Sequence, residues 1–170
     1  MRILKLVPDT VVDGPGLRTS IYFAGCKHHC NGCHNPESWG FKQGYAYHPD
    51  ELYCMLLKTG NNKVTLTGGD PLYQNIGDLD RFLWLLKNGL PLREEKPVYD
   101  VWVYTGYTWE QLINSKRHSS LLKYIDVIVD GKFVEELRDT SLQFRGSSNQ
   151  RIIDVQESLK QNKVVLYKID

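Results

Sequence analysis

Residues 26–33 read C-K-H-H-C-N-G-C and place three thiols within eight positions. Three residues separate Cys26 from Cys30, and two separate Cys30 from Cys33. A helix or a strand of this length cannot keep three sulfurs together, whereas a loop can wrap them around one small centre. Three soft ligands around one point are typical of an iron–sulfur cluster or of zinc.

Length and composition predict a single cytoplasmic domain that spans residues 1–170. The chain has 21 Lys plus Arg and 20 Asp plus Glu, so no charged surface for nucleic acid or a membrane is expected. The first residues lack the features of a signal peptide, and no apolar run approaches the roughly 18 residues of a membrane span. In reducing cytosol, clustered cysteines are expected to be metal ligands rather than disulfides.

Strands and helices alternate along most of the chain. β-Branched and aromatic runs predict strands at 2–7, 18–24, 63–67, 98–105, 124–129 and 163–169. Apolar residues at helical spacing predict helices at 49–58, 79–86, 109–115 and 155–160. This alternation favours an α/β fold with a mostly parallel sheet. The units are too few for a complete eight-stranded barrel, so we expect a partial, open (β/α) barrel.

Short polar and glycine-containing motifs follow the ends of these strands. The cysteine loop follows the second strand, and G-G-D-P at 68–71 follows the third. T-G-Y-T at 105–108 and D-G-K at 130–132 follow the next two. Because functional groups collect at the carboxyl ends of parallel strands, we expect these motifs to share one site.

The cysteines admit two interpretations. Zinc could take His28, His29 or His34 as a fourth ligand, since Cys3His sites are common. A four-iron cluster held by three thiolates would instead leave one iron open to a substrate. Cys54 lies apart on a predicted helix and is expected to be a small buried residue rather than a ligand.

The spacing C-x3-C-x2-C after an early strand is similar to that of the radical S-adenosylmethionine (SAM) enzymes. T-G-G-D-P at 67–71 resembles the glycine-rich motif with which that superfamily approaches the SAM amino group. Within the superfamily, the chain resembles the activating enzymes of glycyl-radical proteins, and among these the activases of anaerobic (class III) ribonucleotide reductase. The segments that carry this resemblance are 12–18 (V-D-G-P-G-L-R), 25–36, 67–72, 101–107, 126–133 (D-V-I-V-D-G-K-F) and 144–152 (F-R-G-S-S-N-Q-R-I).

The resemblance implies a 4Fe-4S cluster on Cys26, Cys30 and Cys33, with SAM bound at the open iron. The implied function is reductive cleavage of SAM to generate a glycyl radical on anaerobic ribonucleoside-triphosphate reductase. Reduced flavodoxin or a similar donor would supply the electron, and no catalytic side chain is expected beyond the cluster. Two alternatives stay open: an activase of another glycyl-radical enzyme, of the formate-lyase type, and a non-catalytic zinc-binding module.

The resemblance also implies contacts to SAM. Gly32, Cys33 and His34 would lie against SAM, and Gly69 would lie at the amino end of its methionine. Many radical SAM enzymes have an aromatic residue where this chain has Gly32, so the adenine must be contacted from elsewhere, with His34 or the backbone as candidates.

Other polar residues of the matching segments have both a functional and a structural interpretation. Asp130 and Lys132 occupy positions where related activases contact SAM, although D-G-K is equally typical of a strand-end turn. Asp13 and Arg18 are better explained by turn structure and local charge pairing. The loop at 145–151 does not match a P-loop, and we expect it to be structured, close to the SAM pocket or to the partner protein. V-W-V-Y at 101–104 alternates as a strand does, which favours core packing over base stacking.

Overall fold

The computed structural model describes residues 1–90 and 97–169, and within them a seven-stranded sheet carries the fold. The strands are β1 Arg2–Thr10, β2 Arg18–Phe23, β3 Tyr45–Ala46, β4 Lys63–Gly68, β5 Asp100–Tyr104, β6 Val127–Asp130 and β7 Arg151–Asp154. The helices are α1 Pro49–Leu57, α2 Ile76–Asn88, α3 Trp109–Ile113 and α4 Val155–Gln161.

The strand order is β3-β1-β2-β4-β5-β6-β7. Strands β2, β4, β5 and β6 are parallel, whereas β1 is antiparallel to β2 and β3, and β7 is antiparallel to β6. The predicted α/β class with a mostly parallel central sheet is confirmed. In the described part of the chain the edge strands β3 and β7 do not pair, so the sheet is open and does not close into a barrel.

The two faces of the sheet bury different residues, because successive side chains of a strand point to opposite faces. One face carries aliphatic residues such as Ile21, Leu66 and Val103, which share a core with α1 and α2. The other face carries a smaller cluster around Trp102, joined by Phe144 from the segment before β7. Trp102 is fully buried, as the strand pattern predicts.

Side chains that accept backbone N–H groups set where the longer helices begin. Asn75 Oδ1 accepts from Gly77 and Asp78 at the start of α2, and it satisfies donors that have no partner within the helix. At the start of α1, His48 and Glu51 form a reciprocal capping box. None of the helices in residues 1–90 and 97–169 is long and apolar enough to span a membrane.

Two expectations from the sequence are wrong. The predicted strand at 163–169 is instead an irregular segment that meets β7 through a single bridge between Leu166 and Ile153. It follows Asn162, a left-handed residue at φ 51° that ends α4. Cys54 is exposed rather than buried, because α1 turns Leu52 and its neighbours towards the core and this position away from it.

Candidate functional site

The loops that follow β2, β4, β5 and β6 surround one cavity of about 410 Å³. All four motifs contribute residues to this cavity, because the strands before them are parallel and end at the same edge. Residues from these four loops that line the cavity include Cys26, His28, Cys30, Cys33, His34, Gly69, Asp70, Thr105, Gly106, Gly131, Lys132 and Phe133.

The three cysteines of the loop after β2 are free thiols at different depths. Cys26 is 8% exposed, and Cys30 and Cys33 are half-buried. Burial raises the pKa of the Cys26 thiol to about 11. The backbone N–H groups of His28 and His29 point at its sulfur and partly oppose this rise in pKa. Burial also raises the pKa of Cys30, opposed by the N–H of Phe133. Thiols with raised pKa values are protonated at neutral pH and ligate when a metal displaces the proton.

The nearby histidines are engaged in different contacts. His28 Nε2 lies 2.8 Å from Asp70 Oδ2, His29 stacks on Trp39 with ring centroids 4.6 Å apart, and exposed His34 packs on Phe133. In the described ranges, no three His, Cys, Asp or Glu side chains are arranged around a single metal ion. A 4Fe-4S cluster does not require its ligands to surround a single ion, since each thiolate ligates a different iron.

The glycine turn after β4 lies directly against the backbone that leads into the cysteine loop. The N–H of Gly69 donates to Phe23 O at 2.7 Å, and that of Asp70 donates to Gly25 O at 3.0 Å. A Cβ at position 69 would lie 2.7 Å from Gly25 O and 3.0 Å from Ser38 O. Gly69 is therefore required for close approach of two main chains, and it lines the cavity.

Gly32 lies next to the cavity rather than among its lining residues. Its φ is +70°, and a Cβ there would lie 1.8 Å from Glu135 Oε2 and 3.2 Å from the Phe133 ring. The positive φ disfavours any larger residue at this position, whereas the flexible Glu135 side chain could move aside. Phe133 and Phe144 supply aromatic surface to the cavity instead.

The D-G-K turn after β6 and the loop at 145–151 form one hydrogen-bonded unit. Arg151 binds the Asp130 carboxylate, with Nε 3.1 Å from Oδ1. The side-chain amide of Gln150 donates to Gly131 O at 3.0 Å, and that of Asn149 donates to Lys132 O at 2.9 Å. Arg145, Gly146 and Gln150 of this loop also line the cysteine-lined cavity.

The Asp130 carboxylate forms its hydrogen bonds within the protein. The whole residue is 1% exposed, its carboxylate accepts the N–H of Trp109 at 2.8 Å, and it borders a neighbouring cavity of about 510 Å³. The next two residues of the turn, Gly131 and Lys132, line the cysteine-lined cavity. Sequence reasoning missed Arg151 as the partner of this carboxylate.

Asp70 is a further residue that sequence reasoning missed. It is 1% exposed and joins the cysteine loop to the turns after β4 and β5. Its place in G-G-D-P, directly after the glycines and before Pro71, is the signal that could have drawn attention to it.

Comparison with known proteins identifies the family. The model of a family described as a 4Fe-4S single cluster domain matches residues 12–153. An anaerobic ribonucleoside-triphosphate reductase-activating protein from Vibrio cholerae is 39% identical over 157 residues, which cover 89% of this chain and 97% of that protein. This chain belongs to the anaerobic ribonucleoside-triphosphate reductase-activating proteins.

Other members of the family give similar values. The activating protein from Escherichia coli K12 is 38% identical over 156 residues, covering 88% of this chain and 96% of that protein. The one from Enterobacteria phage T4 is 38% identical over 152 residues, covering 87% and 90%. The segments at 12–18 and 144–152 lie inside the residues that the 4Fe-4S family model matches, and the match includes all the residues that line the cavity, from Val12 to Gln150. Membership in the activating proteins and a 4Fe-4S domain fit an activase role.

Proposed function

We propose that this activating protein reductively cleaves SAM at a 4Fe-4S cluster and thereby generates a glycyl radical on anaerobic ribonucleotide reductase. The observation that carries the proposal is the meeting of Cys26, Cys30 and Cys33 with the glycine turn at Gly69 around one cavity. When bound, the reduced cluster supplies the electron that splits SAM into methionine and the 5′-deoxyadenosyl radical that takes hydrogen from a glycine Cα.

The donor set fits an iron–sulfur cluster. Three thiols from one loop face the cavity, and the N–H groups of His28 and Phe133 point at the sulfurs of Cys26 and Cys30. Such N–H groups stabilise negative charge on ligating sulfur. Three protein ligands leave a coordination position for SAM.

The protein side of the reaction is binding, orientation and exclusion of water. The backbone of Gly69 is close enough to the cysteine loop to approach the amino group of a bound methionine. Lys132 adds positive charge at the cavity wall, and Phe133 and Phe144 offer apolar surface to an adenine. Gly32 and Asp130 would act through the loops that they shape, because Gly32 has a positive φ of 70° and the Asp130 carboxylate binds Arg151.

The protein substrate proposed is anaerobic ribonucleotide reductase, because the relatives are named as its activating proteins. A reduced flavodoxin or an equivalent one-electron donor is proposed as the reductant. Coexpression with the reductase and with a formate-lyase, followed by detection of the glycyl radical, separates these two substrates.

Anaerobic reconstitution with iron and sulfide tests the proposal. We expect an iron–sulfur absorbance, a change in the electron paramagnetic resonance (EPR) spectrum of the reduced protein on adding SAM, and formation of 5′-deoxyadenosine. Cys30→Ala should abolish all three. Cys54→Ala is the matched control, because Cys54 is exposed on α1, and it should behave as wild type. A colourless product that retains one zinc and never cleaves SAM would refute the proposal.

A further inference from the structure

His28 lies between two of the proposed cluster ligands, yet its side chain points into the protein. The side chain is 7% exposed, and Nε2 lies 2.8 Å from Asp70 Oδ2. Because a carboxylate only accepts hydrogen bonds, Nε2 is the protonated nitrogen of this pair. The middle of the cysteine loop is thus fastened to the turn after β4.

The same carboxylate fastens two other segments. Asp70 Oδ2 accepts from Thr105 Oγ1 at 2.8 Å and from the N–H of Gly106 at 3.1 Å, in the turn after β5. Asp70 Oδ1 accepts from the N–H of Leu72 at 2.9 Å. One buried side chain therefore fixes the cysteine loop relative to two neighbouring strands of the parallel sheet.

Packing leaves the imidazole little freedom. The ring of His28 lies 5.3 Å from that of Tyr73 and 4.9 Å from that of Tyr107. A Cβ at Gly106 would come within 2.4 Å of the imidazole, so the ring fits against bare backbone. The backbone of the next residue is strained, because His29 adopts a positive φ of 48°. A strained turn persists when its surroundings hold it in place.

The position of His28 also decides the environment of a sulfur. Its backbone N–H points at the Cys26 thiol, which is the most buried of the three. Displacement of the imidazole would therefore move a hydrogen-bond donor away from a proposed ligand and move the thiol relative to its two partners.

We propose that Asp70 is a positioning residue that holds the cysteine loop, through His28, in the conformation that receives the cluster. This inference rests on the proposed function, which makes Cys26, Cys30 and Cys33 the ligands. Polar groups that orient metal ligands typically contribute about 10- to 100-fold in metal affinity.

Cluster retention and EPR spectra of the reconstituted holoprotein test this role. Asp70→Asn and His28→Ala should lose iron to a chelator at concentrations about 10- to 100-fold lower than wild type does. Their reduced clusters should also show an altered EPR spectrum. His28→Gln supplies an amide N–H near the position of Nε2 and should recover part of the retention. Asp78→Asn is the matched control, because Asp78 is 42% exposed and pairs with the N-terminal amine.

If Asp70→Asn fails to fold, His28→Ala and His28→Gln still test the inference. Both variants keep Asp70 and its bonds to Thr105, Gly106 and Leu72. Iron retention and EPR spectra equal to wild type in both His28→Ala and Asp70→Asn would overturn the inference while leaving the proposed function intact. A wild-type protein that binds no cluster would instead overturn the proposed function.

Discussion

Replacing Arg151 with glutamine removes the cation that neutralises the buried Asp130 carboxylate. The Asp130 side chain is 2% exposed and that of Arg151 is 33% exposed. The carboxylate keeps two donors after the change, the backbone N–H groups of Trp109 at 2.8 Å and of residue 151 at 3.2 Å. It loses two charged hydrogen bonds and remains a nearly inaccessible negative charge.

The size of the effect follows from burial. Removing one partner of a buried ion pair typically costs about 3 to 5 kcal/mol. Because water reaches part of Arg151 and two N–H donors remain, we expect the free energy of unfolding to fall by about 3 kcal/mol, the lower end of that range. The second pair of Arg151, with the 57% exposed Glu110, should contribute below about 1 kcal/mol.

Urea unfolding of the apoprotein, followed by circular dichroism, measures both values. Glu110→Gln is the matched control, because it breaks the exposed pair of the same arginine and leaves Asp130 neutralised. Combining Arg151→Gln with Asp130→Asn should cost less than the sum of the two single changes, since the double variant buries no unpaired charge. Equal stabilities of Arg151→Gln and Glu110→Gln would refute the reasoning.

Two more predictions concern the turn after β4 and the dependence of stability on pH. Gly69→Ala should lower the melting temperature and weaken SAM binding in equilibrium dialysis, because its Cβ meets Gly25 O at 2.7 Å; Gly77→Ala, with 3.4 Å of clearance, should do neither. Hydrogen bonds from Arg151 lower the pKa of Glu110 to about 2 from 4.5. The resulting small stabilisation is complete above pH 4.5 and is lost as the pH falls through about 2, so urea midpoints of wild type and Glu110→Gln should converge over that range.

The sequence predicted the features of the fold that depend on local patterning. Alternating residues located β2, β4 and β5 within a few positions, and the parallel order brought the predicted motifs to one cavity. The two-residue strand β3 was missed because so short a pair has no periodicity. The strand at 163–169 was predicted wrongly because its apolar residues have the pattern of a strand, while pairing depends on the position of β7.

The site was predictable where chemistry is tied to residue type and spacing, and less so where it depends on contacts between distant segments. The spacing of Cys26, Cys30 and Cys33 is enough by itself to predict a soft metal centre. Nothing in the order of residues pairs Asp70 with His28, which lies 42 positions away, or Arg151 with Asp130, which lies 21 positions away. Such pairs exist because parallel strands deliver their loops to one edge.

Two buried carboxylates, Asp70 and Asp130, hold the loops at the carboxyl edge of the open sheet in fixed positions. Asp70, after β4, fastens the loops that follow β2 and β5. Asp130, at the end of β6, fastens the start of α3 through Trp109 and the start of β7 through Arg151. The stretch between Thr105 and Trp109 is held by both, so the two sets of hydrogen bonds run across the whole carboxyl edge. The cavity at this edge is bordered by the three thiols, by Gly69 and Lys132, and by Asp70, whose carboxylate is already engaged by His28, Thr105 and Gly106.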